Sequence, residues 1–339
     1  MNSGGLPPRH GGATSITGVA MGNDFKPQPV LLAGPTATGK SAVAMELATL
    51  LHGEIVSVDS MQVYRGLDLG TAKPTPAERL TVPHHGVDVV GLEESFDAAR
   101  FVSMATRAVE EIQRRGRVPI LCGGTGLYVN AWLNGLGGSP APDPALRSEL
   151  ESMPTAALLD ELARQDPATL DEIDLENRRR LVRAVEVIRL TGQPFSVQRA
   201  RWPERAPSLA GRSFGLFRSR PETVARIDAR VDAMFRSGLV EEVRTLISQG
   251  LERNRTACQA IGYRQVIEHL AGERSLLETR ELVKVRTRQF AKRQLTWFRG
   301  QLDLEWFDVS RDEAPSSTAA RILASLSGTG DGLPAARAT

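Results

Sequence analysis

The sequence predicts an α/β fold in which a parallel β-sheet core carries a mostly helical insertion. In the first part of the chain, short apolar runs alternate with helix-like segments, which is typical of parallel sheets covered by helices. Glycine and proline clusters at 134–144 and 202–211 then bracket a stretch with almost only helical periodicity. We therefore expect a core formed by residues 27–139 and 210–310, with an insertion at residues 140–209.

Three buried strands are predicted in the first half of the core. The run PVLLA at 29–33 precedes a glycine-rich loop and a helix over 42–52. The β-branched segment EIVSVD at 54–59 is predicted to be the second strand and ends in an acidic residue. A helix is predicted over 97–115, and RVPILC at 117–122 is predicted to form the third strand. In sheets of this kind, ligands bind beyond the carboxyl ends of the strands.

The later elements are predicted to be mainly helical. GGTG at 123–126 forms a tight loop that opens a helix reaching Trp132, and SFGLF at 213–217 is the only further strand expected. Helices are predicted at 158–165 and 177–190 in the insertion, and at 221–237, 239–248 and 279–299 in the core.

Both ends of the chain are expected to lie outside the core. Residues 1–26 are rich in glycine, serine, threonine and proline, lack the order of a signal peptide, and are predicted to be a disordered extension. Residues 311–339 are predicted to form a loose C-terminal tail that contains one short helix around 319–326.

The composition excludes several classes of protein. The 339 residues include 42 lysines and arginines against 40 acidic residues, so the net charge of +2 does not fit a protein that coats nucleic acid indiscriminately. Cys122 and Cys258 are the only cysteines and make no disulfide framework, which favours a cytoplasmic protein. No run reaches the roughly 18 apolar residues of a membrane span. We expect a monomer with no membrane partner.

A phosphate-binding loop is the strongest motif in the sequence. GPTATGKS matches the pattern G-x-x-x-x-G-K-[ST] and lies between a predicted strand and a predicted helix. Its backbone N–H groups and the following helix N-terminus would surround phosphate oxygens, Lys40 would neutralise them, and Ser41 would ligate Mg²⁺. The core is therefore predicted to be P-loop NTPase-like. The predicted phosphate-binding residues are Gly34, Pro35, Thr36, Ala37, Thr38, Gly39, Lys40 and Ser41.

The motif alone does not identify the group that this loop binds. The sequence contains neither an NKxD guanine motif nor an LSGGQ-like transporter motif. It also lacks the apolar strand ending in Asp that is expected of a motor ATPase. Small P-loop transferases remain, in which the loop holds a group that is to be transferred.

Polar residues follow the second and third strands. Asp59 could ligate a metal through water or accept a proton from a nucleophile near the phosphates, but an N-cap role also fits Asp-Ser. Ser60 and Gln62 offer groups that could contact a base edge. Thr125 of GGTG could bind phosphate or base, and a simple N-cap is equally consistent with its spacing.

Collinear motifs along residues 28–308 resemble those of the bacterial tRNA dimethylallyltransferases, the tRNA isopentenyltransferase family. They are GPTATGKS at 34–41, DSMQVYRGLDLGTAKP at 59–74, PHH at 83–85, GGTGLY at 123–128, RRLVRAVEV at 179–187, QAIGYRQ at 259–265 and AKRQLTWFR at 291–299.

The resemblance implies a reaction and its components. The family transfers a dimethylallyl group from dimethylallyl diphosphate to N6 of the adenosine 3′ of the anticodon, in tRNAs that read codons beginning with U. It implies that the loop binds the donor diphosphate with Mg²⁺, that Thr36 and Thr38 touch the donor, and that Arg230 lies on the diphosphate side. Asp59 matches the general base, with Lys40 and Thr125 as further catalytic residues.

The resemblance also implies a tRNA-binding surface, in which residues 140–209 form the tRNA-binding insertion. Arg179 stands where many members carry Gln. The implied tRNA-contact residues are Asp59, Ser60, Met61, Gln62, Thr125, Arg147, Arg179, Arg180, Leu181, Val182, Arg183, Gln259, Ala260, Ile261, Gly262, Tyr263 and Arg264.

Two further features of the sequence do not point to one specific function. The helix at 284–299 carries Lys284, Arg288 and Lys292 on one face, which is either an RNA-binding surface or an ordinary solvated face. His84 and His85 have no metal-ligand partners at useful spacing and are expected to be structural. A P-loop kinase of a small metabolite or nucleoside, with the insertion as a lid, remains the alternative function, and an RNA-binding protein with a vestigial loop is a third.

Overall fold

The structure is a computed structural model that describes residue 1 and residues 26–137, 139–198, 209 and 211–328. Apart from Met1 and Lys26, the extension predicted for residues 1–26 lies outside the described residues, as do most of the proline-rich break at 202–211 and residues 329–339 of the predicted C-terminal tail.

The described residues form one six-stranded parallel sheet. The strand order is β3-β2-β4-β1-β5-β6, so the first strand lies centrally and pairs with β4 and β5. All four strands predicted from the sequence are confirmed, and two short strands at the sheet edges were not predicted. The strands are β1 (Val30–Ala33), β2 (Gly53–Val58), β3 (His84–His85), β4 (Val118–Gly123), β5 (Ser213–Phe217) and β6 (Glu305–Asp308).

Helices occupy most of the remaining described chain, and each predicted helix is present within a few residues of its expected ends. Two 3₁₀ turns lie at Leu251–Arg253 and Ala257–Gln259. The helices are α1 (Lys40–Leu50), α2 (Pro76–Thr81), α3 (Ala98–Arg114), α4 (Gly126–Asn134), α5 (Pro144–Ser152), α6 (Thr155–Gln165), α7 (Pro167–Glu172), α8 (Arg178–Thr191), α9 (Phe195–Gln198), α10 (Arg220–Arg236), α11 (Leu239–Ser248), α12 (Tyr263–Leu270), α13 (Leu276–Gln301) and α14 (Pro315–Gly328).

Both faces of the sheet are buried, which explains why its strands read as continuous apolar runs. One face packs against α1 and α14, with Leu47 and Ile322 fully buried between the layers. The other face packs against α3, α4, α11, α12 and α13, with Phe101 and Phe298 in its core. The sheet therefore lies between two helical layers and presents the carboxyl ends of its strands at one rim.

The expectation of a loose C-terminal tail is wrong for α14. Ala319, Ile322 and Leu326 are buried against α1, and these three residues follow the spacing of one helix face. The short helix predicted around 319–326 is present but extends over Pro315–Gly328. Sequence periodicity indicated the helix, whereas its packing depends on an apolar surface of α1 that lies far away in the chain.

Helices α5 to α9 have their own hydrophobic core. Leu158, Leu162, Leu181 and Val185 are completely buried within it. A link to the rest of the molecule runs through Arg255, which forms an ion pair with Glu151 and accepts a hydrogen bond of 3.0 Å from Arg179 at its backbone oxygen. Among the described residues, no helix has the length and apolar character needed to cross a membrane.

Candidate active site

A cavity of about 720 Å³ opens at the rim formed by the strand carboxyl ends. The phosphate loop follows β1, Asp59 follows β2, the GGTG loop follows β4, and Arg218 follows β5. Because neighbouring strands of the sheet are parallel, these segments meet at the same edge although they are far apart in the chain. Lys40, Ser41, Asp59, Gln62, Arg230 and Gln294 are among the residues that line the cavity.

The phosphate loop has the backbone of an anion cradle. Ala37 and Gly39 have positive φ angles of 66° and 99°, and Gly39 precedes α1 without a side-chain cap. The first N–H groups of α1 are therefore available to an anionic ligand at the positive end of the helix. Gly34 has a positive φ of 142° and also serves close packing, because a Cβ there would overlap the backbone of Leu216.

The two threonines of the loop differ in whether their side chains are accessible from the cavity. Thr36 lines the cavity, and its backbone N–H and hydroxyl are both held by other side chains. The Thr38 side chain is buried, and its hydroxyl donates to the Pro35 carbonyl at 2.9 Å. The expected donor contact by the Thr38 side chain is therefore corrected, because this hydroxyl braces the loop from within.

Lys40 lies in the cavity among other charged groups. Its ammonium group donates to the Pro35 carbonyl at 2.5 Å. The pKa of Lys40 is lowered to about 8, mainly by burial and also by the charge of Arg230, whereas Cys122 and Asp59 oppose this shift. Burial also lowers the pKa of Arg230, again against the charge of Asp59. Both cations thus lie within electrostatic range of the Asp59 carboxylate.

Three arginines from the region after β5 donate hydrogen bonds to the phosphate loop. Arg218 donates to the Thr38 carbonyl at 3.0 Å, and Arg226 donates to the Ala37 carbonyl at 2.9 Å. Arg230 donates to the Thr36 hydroxyl at 3.2 Å. The sequence indicated Arg230 only. Arg218 and Arg226 were missed, although their positions directly after a strand and on the following helix were a usable signal.

Asp59 makes the capping contact that was considered for it, and its role as a proton acceptor or metal ligand stays a prediction. One carboxylate oxygen accepts hydrogen bonds from the backbone N–H groups of Met61 and Gln62, at 2.8 and 3.3 Å, and so caps the turn. The other oxygen has no hydrogen-bond partner in the described part of the chain, and the residue lines the cavity. The free oxygen can accept a proton from a ligand.

Thr125 supports this turn rather than facing the cavity. Its hydroxyl accepts a hydrogen bond of 3.1 Å from the Ser60 N–H, and it makes no side-chain cap to α4. This contact joins the GGTG loop to the Asp59 turn. Thr125 therefore holds the turn that carries Asp59, and its catalytic and tRNA-binding roles stay predictions.

Gln62 links the cavity to the segment 69–72. Its side-chain oxygen accepts from the Ser57 hydroxyl at 2.9 Å, and its amide nitrogen donates to the Thr71 and Ala72 carbonyls. Arg230 donates to the same Thr71 carbonyl at 3.4 Å. The amide of Gln62 is thereby fixed in one orientation at the cavity wall.

The four arginines of the insertion that were predicted to contact tRNA fall into two groups. Arg147 and Arg183 both form ion pairs with the fully buried Glu186, that of Arg183 at 2.6 Å. Arg179 and Arg180 are exposed, and the Arg180 guanidinium has no partner among the described residues. The expected tRNA contacts by the side chains of Leu181 and Val182 are corrected, since both are buried in the core of the insertion.

The segment 259–264 is also only partly available to a partner. Gln259 and Arg264 are exposed, and the Arg264 guanidinium donates to the Gln259 side chain at 3.1 Å. Ala260 and Tyr263 are buried, so their predicted side-chain contacts with RNA are corrected. Gly262 has a φ of 97°, a conformation that favours glycine at the start of α12. Ile261 packs against the hydrophobic cluster that contains Ile227 of α10.

The basic face predicted on α13 is largely neutralised by α10. Lys284 pairs with Asp232 at 2.9 Å, and Arg288 pairs with Asp228. Lys292 remains exposed. The expected structural role of the two histidines also holds, since His85 pairs with the buried Glu54 at 2.7 Å, and His84 contacts the Val82 carbonyl.

The cavity offers oxygen atoms that suit Mg²⁺. The described residues contain no cluster of three or more His, Cys, Asp or Glu side chains that could hold a metal by themselves. Ser41 and the free oxygen of Asp59 nevertheless offer hard oxygen donors at the cavity. Mg²⁺ commonly keeps several waters and takes its other ligands from one or two protein oxygens and substrate phosphates. These residues fit such a metal.

The fold and the site together define a P-loop NTPase-like protein whose phosphate cradle opens into a cavity that also contains a carboxylate. A family model described as IPP transferase matches residues 62–301. The chain belongs to this IPP transferase family and is a prenyltransferase, which confirms the resemblance and sets the kinase alternative aside.

Individual relatives agree with this membership. The chain is 45% identical over 300 residues to tRNA dimethylallyltransferase 1 of Trichlorobacter lovleyi, covering 87% of this chain and 98% of the relative. It is 43% identical over 289 residues to the tRNA dimethylallyltransferase of Corynebacterium diphtheriae, covering 84% and 95%.

Solved structures are similar as well. The tRNA isopentenylpyrophosphate transferase of Bacillus halodurans is 40% identical, with a TM-score of 0.64 over 90% of this chain and 98% of that chain. A eukaryotic dimethylallyltransferase acting on tRNA is 26% identical, with a TM-score of 0.70 over 92% of this chain and 82% of that chain.

Proposed function

We propose that this enzyme transfers the dimethylallyl group of dimethylallyl diphosphate to N6 of the adenosine 3′ of the anticodon, in tRNAs that read codons beginning with U. The products are N6-dimethylallyladenosine and diphosphate. The observation that carries the proposal is that residues of the phosphate loop and Asp59 line one cavity. A donor held by its diphosphate and a base held at Asp59 would therefore meet there.

The donor is bound through its diphosphate. The uncapped N-terminus of α1, Lys40 and Arg230 supply N–H groups and positive charge at the loop. Ser41 would hold Mg²⁺ together with diphosphate oxygens and water, and a bound Mg²⁺ would supply further charge stabilisation to the leaving diphosphate.

The reaction breaks the allylic C–O bond and forms a C–N bond. The electron pair of the C–O bond leaves with the diphosphate, while positive charge spreads over the allyl group. Lys40 and the loop N–H groups stabilise the developing negative charge of the leaving group. The N6 lone pair of the adenine forms the new bond. The free oxygen of Asp59 takes the N6 proton, so the product amine is neutral.

The adenosine must leave the anticodon loop stack to reach Asp59. Extrusion of a base costs a few kcal/mol of stacking, which tRNA contacts elsewhere must supply. We assign these contacts to the insertion at residues 140–209, where Arg179 and Arg180 are exposed. Gln62 and Ser60 lie beside Asp59 and would contact the extruded base. We further propose that the enzyme acts as a monomer in the cytoplasm, where its tRNA substrate is found.

A transfer assay tests the proposal directly. Radiolabelled dimethylallyl diphosphate is incubated with the protein and an unmodified tRNA that has adenosine 3′ of its anticodon. The matched control is the same tRNA with guanosine at that position. Label is expected in the first RNA only. Labelling of both RNAs would contradict the assigned target atom. Tight tRNA binding without transfer would favour the RNA-binding alternative, and transfer of phosphate from ATP to a metabolite would favour a kinase.

A further inference from the structure

Gln294 is a buried amide that bridges two loops of the site. Its side-chain oxygen accepts a hydrogen bond of 2.9 Å from the Thr36 N–H in the phosphate loop. Its side-chain nitrogen donates to the Gly124 carbonyl in the GGTG loop, also at 2.9 Å. The side chain is 8% exposed and lines the cavity.

The surrounding glycines show that this contact is closely fitted. A Cβ at Gly124 would overlap the amide of Gln294, and a Cβ at Gly126 would overlap the ring of Trp297, one turn further along α13. The two glycines therefore let α13 lie directly on the GGTG loop. Glycine is needed at these two positions because the packing is close, and not because of the backbone angle, since neither residue has a positive φ.

The bridge connects the donor side of the cavity to the acceptor side. Thr36 belongs to the loop that binds the diphosphate. Gly124 is followed by Thr125, whose hydroxyl holds the Ser60 N–H next to Asp59. A continuous path of hydrogen bonds and backbone thus runs from the phosphate loop through Gln294 to the turn that carries the base.

The bridge also determines how the phosphate loop is used. With the Thr36 N–H engaged by Gln294, this amide points to a protein acceptor and not to a phosphate oxygen. An amide side chain suits both ends, because one atom accepts and the other donates. A carboxylate at position 294 would lack the donor, and an aliphatic side chain would lack both groups.

We propose that Gln294 is a positioning residue that sets the separation of the donor loop and the Asp59 turn during prenyl transfer. The inference rests on the proposed function. Gln294 touches neither reacting atom. It fixes the distance over which the allylic carbon and N6 approach each other, and displacements of about 1 Å in such geometry reduce rates by about 10²-fold.

The test replaces Gln294 with methionine, which has a similar size and no hydrogen-bonding amide. For Gln294→Met we expect a fall in kcat of about 10- to 100-fold, with the KM values for donor and tRNA changing by less than about threefold. Gly124→Ala, which displaces the same amide, should reproduce this pattern. The exposed Gln249→Met serves as the matched control and should retain wild-type kcat.

The results of these measurements distinguish a positioning role of Gln294 from a merely structural one. Thermal melting identifies any variant that loses its fold, and a kcat loss that simply follows the fraction unfolded would overturn the proposal. An unchanged kcat, or a rise in KM without a loss in kcat, would also overturn it. If the wild type transfers no prenyl group, the proposed function fails. The inference is then judged by crystal structures of wild type and Gln294→Met, where an unchanged separation of the Thr36 nitrogen and the Gly124 oxygen overturns it.

Discussion

The Tyr263 hydroxyl donates a hydrogen bond of 2.5 Å to the Glu242 carboxylate, behind the segment 69–72 that forms one wall of the cavity. The same hydroxyl accepts from the Gly70 N–H at 3.1 Å, and Glu242 accepts from the Leu69 N–H at 2.9 Å. Burial and the charge of Glu242 raise the pKa of Tyr263, so its hydroxyl stays protonated and donates throughout the physiological range.

Tyr263→Phe should therefore weaken the cavity wall without touching a ligand. The variant leaves the Gly70 N–H without its acceptor, and we expect the free energy of unfolding to fall by about 1–3 kcal/mol. Because Gln62, which we propose contacts the base, donates to the Thr71 carbonyl in this segment, the KM for tRNA should rise as well. Denaturant unfolding and steady-state kinetics measure the two effects. Unchanged stability would show that the hydroxyl does not hold the segment.

Asp59→Asn should abolish proton transfer while it preserves binding. The amide oxygen can still cap the turn at Met61, but the group no longer accepts a proton at neutral pH. We expect kcat to fall by about 10²–10⁴-fold with similar affinities for donor and tRNA. Single-turnover kinetics and filter binding measure these quantities. The exposed Asp312→Asn is the control, and near-normal turnover of Asp59→Asn would assign the base to another residue.

Lys40 should give the donor reaction a pH limit on its alkaline side. Its pKa of about 8 means that the ammonium charge in the free enzyme is complete below that pH and is lost above it. The kcat/KM for dimethylallyl diphosphate should therefore fall as the pH rises through about 8. Arginine stays charged, so the residual activity of Lys40→Arg should lack this decline. A decline that persists in the variant would assign it to another group.

The lowered pKa of Lys40 also makes the stability of the fold depend on pH. Lys40 titrates at about 8 in the folded state and near its ordinary value of 10.5 in the unfolded chain. The unfolded state therefore binds more protons between these two values, and the contribution of Lys40 to the free energy of unfolding rises with pH across that window. Comparison of wild type with Lys40→Met by denaturant unfolding at several pH values isolates this contribution.

Arg180 and Arg183 should respond differently to truncation, although they lie on the same helix. Arg180 is exposed and unpaired within the described chain, so Arg180→Ala should raise the KM for tRNA and lower the salt slope of binding by roughly 0.7–0.9. Arg183→Ala also removes one partner of the buried Glu186 and should reduce the melting temperature. Equal effects of both variants on stability would contradict this distinction.

Ile322→Ala should show that α14 supports the layer behind the phosphate loop. Ile322 is completely buried against α1, and its truncation leaves a cavity that should lower the free energy of unfolding by about 2–5 kcal/mol. The exposed Arg311→Ala is a suitable control in the preceding turn. A wild-type melting curve for Ile322→Ala would mean that this helix does not contribute to the core.

Local signals were sufficient for the elements whose chemistry lies within a few consecutive residues. The phosphate loop combines a glycine pattern, a lysine and a strand-to-helix context, and Asp59 ends a β-branched run. Strand β3 has only two residues and depends on pairing with β2. It therefore carries no periodicity of its own, which explains why it was not predicted.

The sequence by itself determined four of the six strands, the phosphate loop and the catalytic carboxylate candidate, because each depends on residues adjacent in the chain. Only the tertiary structure decided which polar side chains are free. Arg183 and Lys284 look like solvated cations in a charge run, yet Glu186 and Asp232 neutralise them from positions defined by packing. Gln294 gives no local signal, since its two partners come together only when α13 lies across loops that follow β1 and β4.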